Sequence, residues 1–188
     1  MRIKTPLSDR EVTGLSVGDS IRLSGTVVTA RDMAHKYLVE HSPGDLPFSL
    51  EGMALYHCGP IVRDIEVVAA GPTTSAREEP YEADVIQRYG VKAVIGKGGM
   101  GEKTLKSLRE HKAVYLSAVG GAAALLAESI KSVRDVHMLE EFGAPEAFWI
   151  FEVKDMPLIV SMDAHGKSIH GRVEVESKSM LEKMLSED

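Results

Sequence analysis

The chain has 188 residues and a mass of 20.4 kDa, and its 44% apolar and 27% charged residues are typical of a globular protein and exclude a disordered or fibrous one. Its formal net charge is -6, which argues against the basic surface that general nucleic-acid binders need. The longest uncharged stretch, residues 113–127, is interrupted by Gly120 and Gly121 and is too short to span a membrane. The N-terminus also lacks the apolar core of a secretory signal. We therefore expect a cytoplasmic protein that binds neither nucleic acid nor membrane.

No repeat, low-complexity segment or linker divides the sequence, so we predict one domain over residues 1–188. Residues 20–29 alternate apolar and polar side chains, as a half-buried strand does. Further strands are predicted over residues 53–58, 65–70, 92–95, 113–117, 148–153 and 158–162. Helices are predicted over residues 31–40, 80–89, 101–112 and 121–131, and at the C-terminus, where Met180, Leu181, Met184 and Leu185 form one apolar stripe. This order predicts an α/β domain built on a mixed sheet.

A glycine-rich loop follows the predicted strand 92–95 and precedes a helix. Its pattern Gly96-x-Gly98-x-x-Gly101 formally matches a dinucleotide-binding fingerprint, but the acidic residue expected about 20 positions later is missing. What remains is a loop whose backbone N–H groups can approach an anion, with Lys97 as a point charge. The alternative is a tight turn that needs positive φ, with Lys97 simply solvated.

Two arginines follow other predicted strands. Arg31 comes after the strand 20–29, and Arg77 comes after the strand 65–70. Ligands of open α/β sheets bind at the carboxyl ends of strands, so Arg31, Arg77 and Lys97 are predicted to converge on one polyanionic ligand. The planar guanidinium fork suits a carboxylate. Taken singly, each arginine is more often a solvated surface residue.

Thr73 and Thr74 either cap a following turn or place a hydroxyl near cations, where it could act as a base. His35, one helical turn after Arg31, either orients a ligand or titrates, or is a packed helix histidine. Cys58 is the single cysteine, so the chain has no internal disulfide and cannot by itself hold an iron–sulfur cluster or a thiolate zinc site. His57 beside it has no further ligands nearby, and both are interpreted as structural.

Five segments together resemble a known family: residues 29–36 (TARDMAHK), 56–60 (YHCGP), 71–77 (GPTTSAR), 95–100 (IGKGGM) and 161–166 (SMDAHG). They are similar, in this order, to the beta subunit of the iron–sulfur hydro-lyases, which include class I fumarate hydratase and L(+)-tartrate dehydratase. The resemblance covers nearly the whole chain. It implies a swivelling β/β/α domain of the fumarase C-terminal type, with a mixed central sheet flanked by helices. It also implies an alpha-subunit partner that carries an oxygen-sensitive [4Fe-4S] cluster, in a hetero-oligomer of alpha and beta pairs.

The resemblance further implies residue roles. Binding of a dicarboxylate falls on three cations and two loop glycines: Arg31, Arg77, Lys97, Gly96 and Gly98. The base would be Thr73 or Thr74. The implied reaction is the reversible hydration of fumarate to (S)-malate, a step of the tricarboxylic acid cycle. The alternatives are dehydration of tartrate to oxaloacetate, or a non-catalytic anion-binding module. Many relatives fuse both parts in one chain, whereas this chain matches only the C-terminal part, so we expect it to be inactive alone.

Overall fold

The structure, a computed structural model, describes residues 1–186 of the chain. Its strands are β1 Arg2–Lys4, β2 Ser20–Thr29, β3 Ala54–Tyr56, β4 Ile61–Arg63, β5 Glu66–Ala69, β6 Ala93–Gly96, β7 Val114–Ser117, β8 Ile130–His137 and β9 Phe148–Met162. Its α-helices are α1 Asp9–Thr13, α2 Asp32–Glu40, α3 Glu79–Tyr89, α4 Glu102–Glu110, α5 Ala123–Ala127, α6 Leu139–Phe142 and α7 Ile169–Ser186. The predicted α/β class, with a mixed central sheet flanked by helices, is confirmed.

The main sheet has the strand order β1-β2-β3-β6-β7-β9-β8. Strands β1, β2, β3, β6 and β7 run parallel to one another, and β9 runs antiparallel to β2, β7 and β8. Because β9 also pairs with β2, the strands β2, β3, β6, β7 and β9 close into a ring. The carboxyl ends of the four parallel ring strands therefore meet at one edge.

Two hydrophobic clusters cover the two faces of this sheet. One contains Leu23, Val27 and Phe151, together with buried side chains from the other strands of the ring. The other holds Val28 and packs the sheet against helices α2, α3 and α4. Val27 and Val28 point to opposite faces, as successive strand residues must, and both are buried. The end of β2 that leads to Arg31 is thus held rigidly on both sides.

The predicted boundaries of α3 agree closely with the structure. Pro80 lies in the first turn, where its missing N–H costs nothing, and Gly90 caps the C-terminus in the left-handed conformation, with φ of 66°. The buried face of this helix carries Ile86 and Tyr89, but also the carboxylate of Glu82. That polar residue on an apolar face becomes important at the site.

Two sequence predictions about the second half of the chain are wrong. The predicted helix 121–131 is only the short α5, after which the chain enters strand β8. The predicted strands 148–153 and 158–162 form one strand, β9. In both cases pairing decides: β8 pairs with β9, and β9 pairs with β2 through Pro157. Long-range ladders of this kind override local helical spacing.

The C-terminal helix α7 forms as predicted, but none of its described residues is buried. Its apolar stripe, which includes Met180 and Leu185, is exposed. The strand predicted over residues 65–70 is β5, which pairs with β4 in a separate hairpin and not in the main sheet. Among the described residues, no helix combines the length and the apolar character needed to cross a membrane.

Candidate functional site

The site residues predicted from the sequence lie on loops at the carboxyl ends of the parallel ring strands. Arg31 follows β2, and Lys97 follows β6. The segment carrying Thr73 and Thr74 follows the β4–β5 hairpin. It is held in place by two isolated β-bridges, an antiparallel one between Cys58 and Pro72 and a parallel one between Thr74 and Lys97. The structure therefore brings these three loops together at one edge of the sheet.

Arg31 and Arg77 converge on one carboxylate, that of Asp32. The Oδ2 atom of Asp32 lies 3.2 Å from Nη2 of Arg77 and 3.8 Å from Nη2 of Arg31. Arg31 is further held by Glu146, whose Oε1 lies 3.3 Å from Nη2, and by the carbonyl of Pro145, to which Nη1 donates at 3.4 Å. Two guanidinium groups that share one carboxylate are spaced so that they can share another anion.

Lys97 belongs to the threonine segment rather than to the Asp32 pair. Its backbone N–H donates to the carbonyl of Thr73 at 3.3 Å, and its carbonyl accepts from the N–H of Ser75 at 3.1 Å. Its side chain is exposed, and a Cβ on Gly120 would lie 3.6 Å from its Cδ. Within residues 1–186, its ammonium group forms no ion pair. Lys97 is thus a cation of this edge that no described carboxylate neutralises.

The two predicted loop glycines answer different structural demands. Gly98 has φ of 85°, a left-handed backbone that glycine adopts without strain. Gly96 is required by packing, because a Cβ there would overlap Oγ of Ser75 and would lie 2.9 Å from the hydroxyl of Tyr115. Gly99 is packed similarly, since a Cβ there would overlap the ring of His170. The loop is therefore pinned from below by buried Ser75.

The two threonines differ in their surroundings. Both the N–H and the hydroxyl of Thr73 donate to the carbonyl of His57, at 2.7 and 3.0 Å. Thr74 is exposed, and it precedes the short 3-10 turn Ser75–Arg77 without a side-chain capping bond. The capping interpretation of Thr74 is therefore wrong. The Thr73 hydroxyl is held in one orientation by the His57 carbonyl, whereas the Thr74 side chain is exposed.

Beneath these loops lies a buried polar network that sequence reasoning missed. Oε2 of Glu82 lies 2.9 Å from Nε2 of His35 and 2.9 Å from Nε2 of His57. Nδ1 of His57 lies 2.8 Å from Oγ of Ser75, to which the Tyr115 hydroxyl donates at 2.8 Å. All five side chains are fully buried. The available signal was Glu82 on the otherwise apolar face of α3, opposite a helix that carries His35.

The order Ser75, His57, Glu82 has the composition of a catalytic triad but not its function. The Ser75 hydroxyl is fully buried and is already engaged by both His57 and Tyr115, so no substrate carbonyl can reach it. His35, His57 and Glu82 also have the composition of a metal site. Their ring nitrogens, however, sit at hydrogen-bond distance from one shared oxygen, the spacing of two N–H donors on a carboxylate.

Two further titratable groups border the network. Glu78 is buried, and within residues 1–186 neither of its carboxyl oxygens has a hydrogen-bond partner. Burial raises the pKa of Glu78 to about 7, against the opposing attraction of His35. Burial also raises the pKa of the Cys58 thiol to about 12. Cys58 is therefore a protonated, inaccessible thiol, which agrees with its structural interpretation and does not suit it to bind a cluster.

Comparison with known proteins identifies the family. A family model described as "Fumarase C-terminus" matches residues 1–173. The chain belongs to the fumarase C-terminus family. It is 48% identical over 187 residues to the Geobacillus stearothermophilus protein named "Putative fumarate hydratase class I", with coverage of 97% of this chain and 35% of that protein. The chain thus spans about a third of the length of that relative.

Other members of the fumarase C-terminus family match over most of both chains. A Methanocaldococcus jannaschii protein named "Putative L(+)-tartrate dehydratase subunit beta" is 44% identical over 185 residues, which cover 95% of this chain and 93% of that protein. The L(+)-tartrate dehydratase subunit beta of Escherichia coli K12 is 41% identical over 172 residues, covering 89% and 85%. Membership of this family, whose named members here are hydro-lyases, confirms the resemblance found in the sequence motifs.

Proposed function

We propose that this chain is the beta subunit of a two-subunit class I fumarate hydratase, and that it supplies the cations that hold the dicarboxylate. The observation that carries this proposal is the convergence of Arg31 and Arg77 on the single carboxylate of Asp32. A substrate carboxylate would take the place that the Asp32 carboxylate shows to be favourable. Lys97, which has no ion-pair partner among residues 1–186, would face the second carboxylate from the neighbouring loop, with the N–H groups around Gly96 and Gly98 beside it.

In this proposal the chain's residues act on charge and protons. In the direction from malate, a base removes the proton on the carbon next to one carboxylate, the electron pair forms the double bond, and the hydroxyl leaves as hydroxide, which a Lewis acid of the proposed partner would receive. The cations stabilise the negative charge that builds on that carboxylate in the transition state. The proton goes to the deprotonated oxygen of a threonine of the Thr73–Thr74 pair, and the nearby cations favour this alkoxide form, which becomes the neutral hydroxyl.

The [4Fe-4S] cluster of this family is assigned by the proposal to an alpha subunit. The donor set of this chain does not fit a resident cluster, because Cys58 is its single cysteine and is a buried thiol with a raised pKa. No step of the chemistry above is therefore assigned to a metal in this chain. The partner, the cluster and the hetero-oligomer of alpha and beta pairs all belong to the proposal.

A second candidate function is supported by length. The tartrate dehydratase beta subunits of M. jannaschii and E. coli match this chain over 93% and 85% of their own lengths, whereas the fumarate hydratase relative is about three times as long. The alternative is therefore the beta subunit of an L(+)-tartrate dehydratase, which would convert tartrate to oxaloacetate at the same cations. A non-catalytic anion-binding module remains a third outcome of the test.

The test is an anaerobic assay of this chain assembled with its iron–sulfur partner, with fumarate and L(+)-tartrate in parallel. Turnover of fumarate but not tartrate supports the main proposal, and the opposite result supports the alternative. If neither substrate is turned over by a complex with full cluster content, both enzyme proposals fail.

Thr73→Val and Thr74→Val, made in the same complex, test the base. The variant that removes it should lose about 10²- to 10⁴-fold in kcat with little change in KM, because valine keeps the shape of threonine. The other variant serves as its matched control, since the two substitutions are identical and adjacent. Normal kinetics in both variants would remove the base from this chain.

A further inference from the structure

One buried carboxylate oxygen joins the elements that carry the site. Oε2 of Glu82, on α3, lies 2.9 Å from the imidazole of His35, on α2, and 2.9 Å from that of His57, which follows β3. All three side chains have no exposed surface. Buried charges with several hydrogen bonds are rigid, since breaking any one of them leaves an uncompensated group.

The far side of each imidazole holds a loop of the site. Nδ1 of His35 lies 2.9 Å from the carbonyl of Arg31, which also accepts from the backbone N–H of His35 at 2.8 Å. Nδ1 of His57 lies 2.8 Å from Oγ of Ser75, the residue that follows Thr74. Glu82 is therefore linked through one imidazole to the Arg31 turn, and through the other to the threonine segment.

Counting hydrogens assigns the charge of each ring. The ionised Glu82 carboxylate can only accept, so both Nε2 atoms carry hydrogens. The Arg31 carbonyl also can only accept, so Nδ1 of His35 carries a hydrogen too and His35 is an imidazolium. Ser75, which accepts from Tyr115, donates to Nδ1 of His57, so His57 is neutral.

The directions of the pKa shifts agree with this assignment. Burial alone would lower the pKa of His35, but the hydrogen bond and charge of Glu82 outweigh it and raise that pKa. Burial lowers the pKa of His57. Burial opposes ionisation of Glu82, yet the hydrogen bonds and charge of the two histidines hold its pKa at about 2. The other charged groups around His35 are Glu78, whose Oε2 lies 3.7 Å from Nδ1, and beyond it Asp32 and Arg77.

We infer that Glu82 is a positioning residue, which through charged His35 and neutral His57 fixes the Arg31 turn relative to the Thr73–Ser75 segment. This inference rests on the proposed function, since it takes these two loops as the ones that hold the substrate. Glu82 touches no substrate. It sets the distance between the guanidinium group of Arg31 and the hydroxyls of Thr73 and Thr74.

The first test is nitrogen NMR of the histidine rings in the full chain at neutral pH. Wild-type protein should show His35 protonated on both nitrogens and His57 protonated on Nε2 alone. Glu82→Gln should leave His35 neutral and should shift the backbone amides of Arg31 and of residues 73–77. A neutral His35 in wild-type protein overturns the inference. This measurement needs no variant, so it decides the inference even if Glu82→Gln folds poorly.

Asp163→Asn is the matched control. Asp163 is also fully buried, and it accepts hydrogen bonds from the N–H groups of Val17, His165 and Lys167, each at 3.0 Å. It follows β9, whose end pairs with the start of β7 and thus lies away from the site edge. Asp163→Asn should leave the charge of His35 and the amides of residues 73–77 unchanged. Equal shifts in both variants would mean that Glu82 acts only on general stability.

The second test measures kcat and KM of the assembled complex. Glu82→Gln should lower kcat/KM by about tenfold to a hundredfold through misplaced substrate groups, while Glu82→Asp, which keeps the charge, should recover part of the loss. Full activity of Glu82→Gln overturns the inference. If the wild-type complex turns over neither fumarate nor tartrate, the proposed function fails, while the NMR result still decides whether Glu82 holds the two loops.

Discussion

Asp32 lies between the guanidinium groups of Arg31 and Arg77, so two arginines are already arranged around one carboxylate. Arg31 is one-fifth exposed and is tied by Glu146 and Pro145, whereas Arg77 is half exposed and has Asp32 as its ion-pair partner among the described residues. Arg31 therefore serves as the fixed member of the pair and Arg77 as the adjustable one.

Replacing the adjustable member tests this division. Arg77→Lys keeps the charge but loses the paired N–H geometry, so binding of the dicarboxylate should weaken by about tenfold to a hundredfold, the equivalent of about 1.5 to 3 kcal/mol. The measurement is KM or a direct binding titration in the assembled complex. Arg2→Lys is the control. Arg2 lies on the edge strand β1, where it pairs with Asp155 and is not part of the proposed site. Equal binding by Arg77→Lys and wild type would contradict a bidentate role.

Glu78 and Glu82, four residues apart on one helical face, should respond to pH in opposite ways. The pKa of Glu78 is raised to about 7 by burial, so the folded state binds more protons than the unfolded state between its usual value and 7. Stability therefore falls as pH rises through this range. The pKa of Glu82 is lowered to about 2, so its stabilising contribution is present above its usual value of 4.5 and is lost as pH falls toward 2.

The same substitution at both positions separates these effects. Wild-type protein should lose stability between pH 5 and pH 8 as Glu78 ionises, whereas the amide of Glu78→Gln does not ionise. Relative to wild type, the free energy of unfolding of Glu78→Gln should therefore be higher at pH 8 than at pH 5, by about 2 kcal/mol. Glu82→Gln should lower the free energy of unfolding at both values, because the charge-assisted hydrogen bonds between the Glu82 carboxylate and the two histidines are lost. Urea unfolding of wild type and the two variants measures these differences. A Glu78→Gln effect that is the same at pH 5 and pH 8 would refute the raised pKa.

Among the elements, α7 differs from the rest because it contributes nothing to the core. None of its described residues is buried, and its contact with the site loop is made by His170, near its beginning. The family model also ends at residue 173. The helix is amphipathic, but large apolar side chains along it are exposed to solvent.

Removal of residues 174–188 should therefore leave the free energy of unfolding within about 0.5 kcal/mol of the intact chain, the range expected for exposed changes. His170 is kept in this truncation, so its packing against Gly99 is preserved. Urea unfolding of the two chains is the measurement. A loss of about 2 kcal/mol or more would show that the helix packs on the domain in solution.

For the whole molecule, the closed ring of β2, β3, β6, β7 and β9 explains why the chain presents several loops at one edge. It has a complete hydrophobic core on both faces of its sheet, although it spans 35% of the length of the G. stearothermophilus relative. The chain therefore has a core of its own, which does not depend on the partner or the cluster of the proposed function.

The isolated chain should accordingly unfold cooperatively yet turn over neither fumarate nor tartrate. The reason is that its single, buried cysteine provides no ligand set for a cluster. An anaerobic assay with and without the iron–sulfur partner measures this. Activity of the purified chain alone would contradict the assignment of the cluster to a partner.

The sequence by itself determined the family, the loops of the site and the elements whose burial is locally periodic. Strand β2 and helix α3 could be predicted closely because alternation, an N-terminal Pro80 and a C-terminal Gly90 are all local signals. Tertiary structure decided β8, the continuity of β9 and the Glu82 network. A strand at these positions is favoured only by the partner it pairs with, and no local period encodes that partner, which for β9 is β2, more than a hundred residues away. Likewise, Glu82 is affordable in a core only because folding brings His35 and His57 to the same oxygen, an arrangement of three separate elements that no spacing in the sequence expresses.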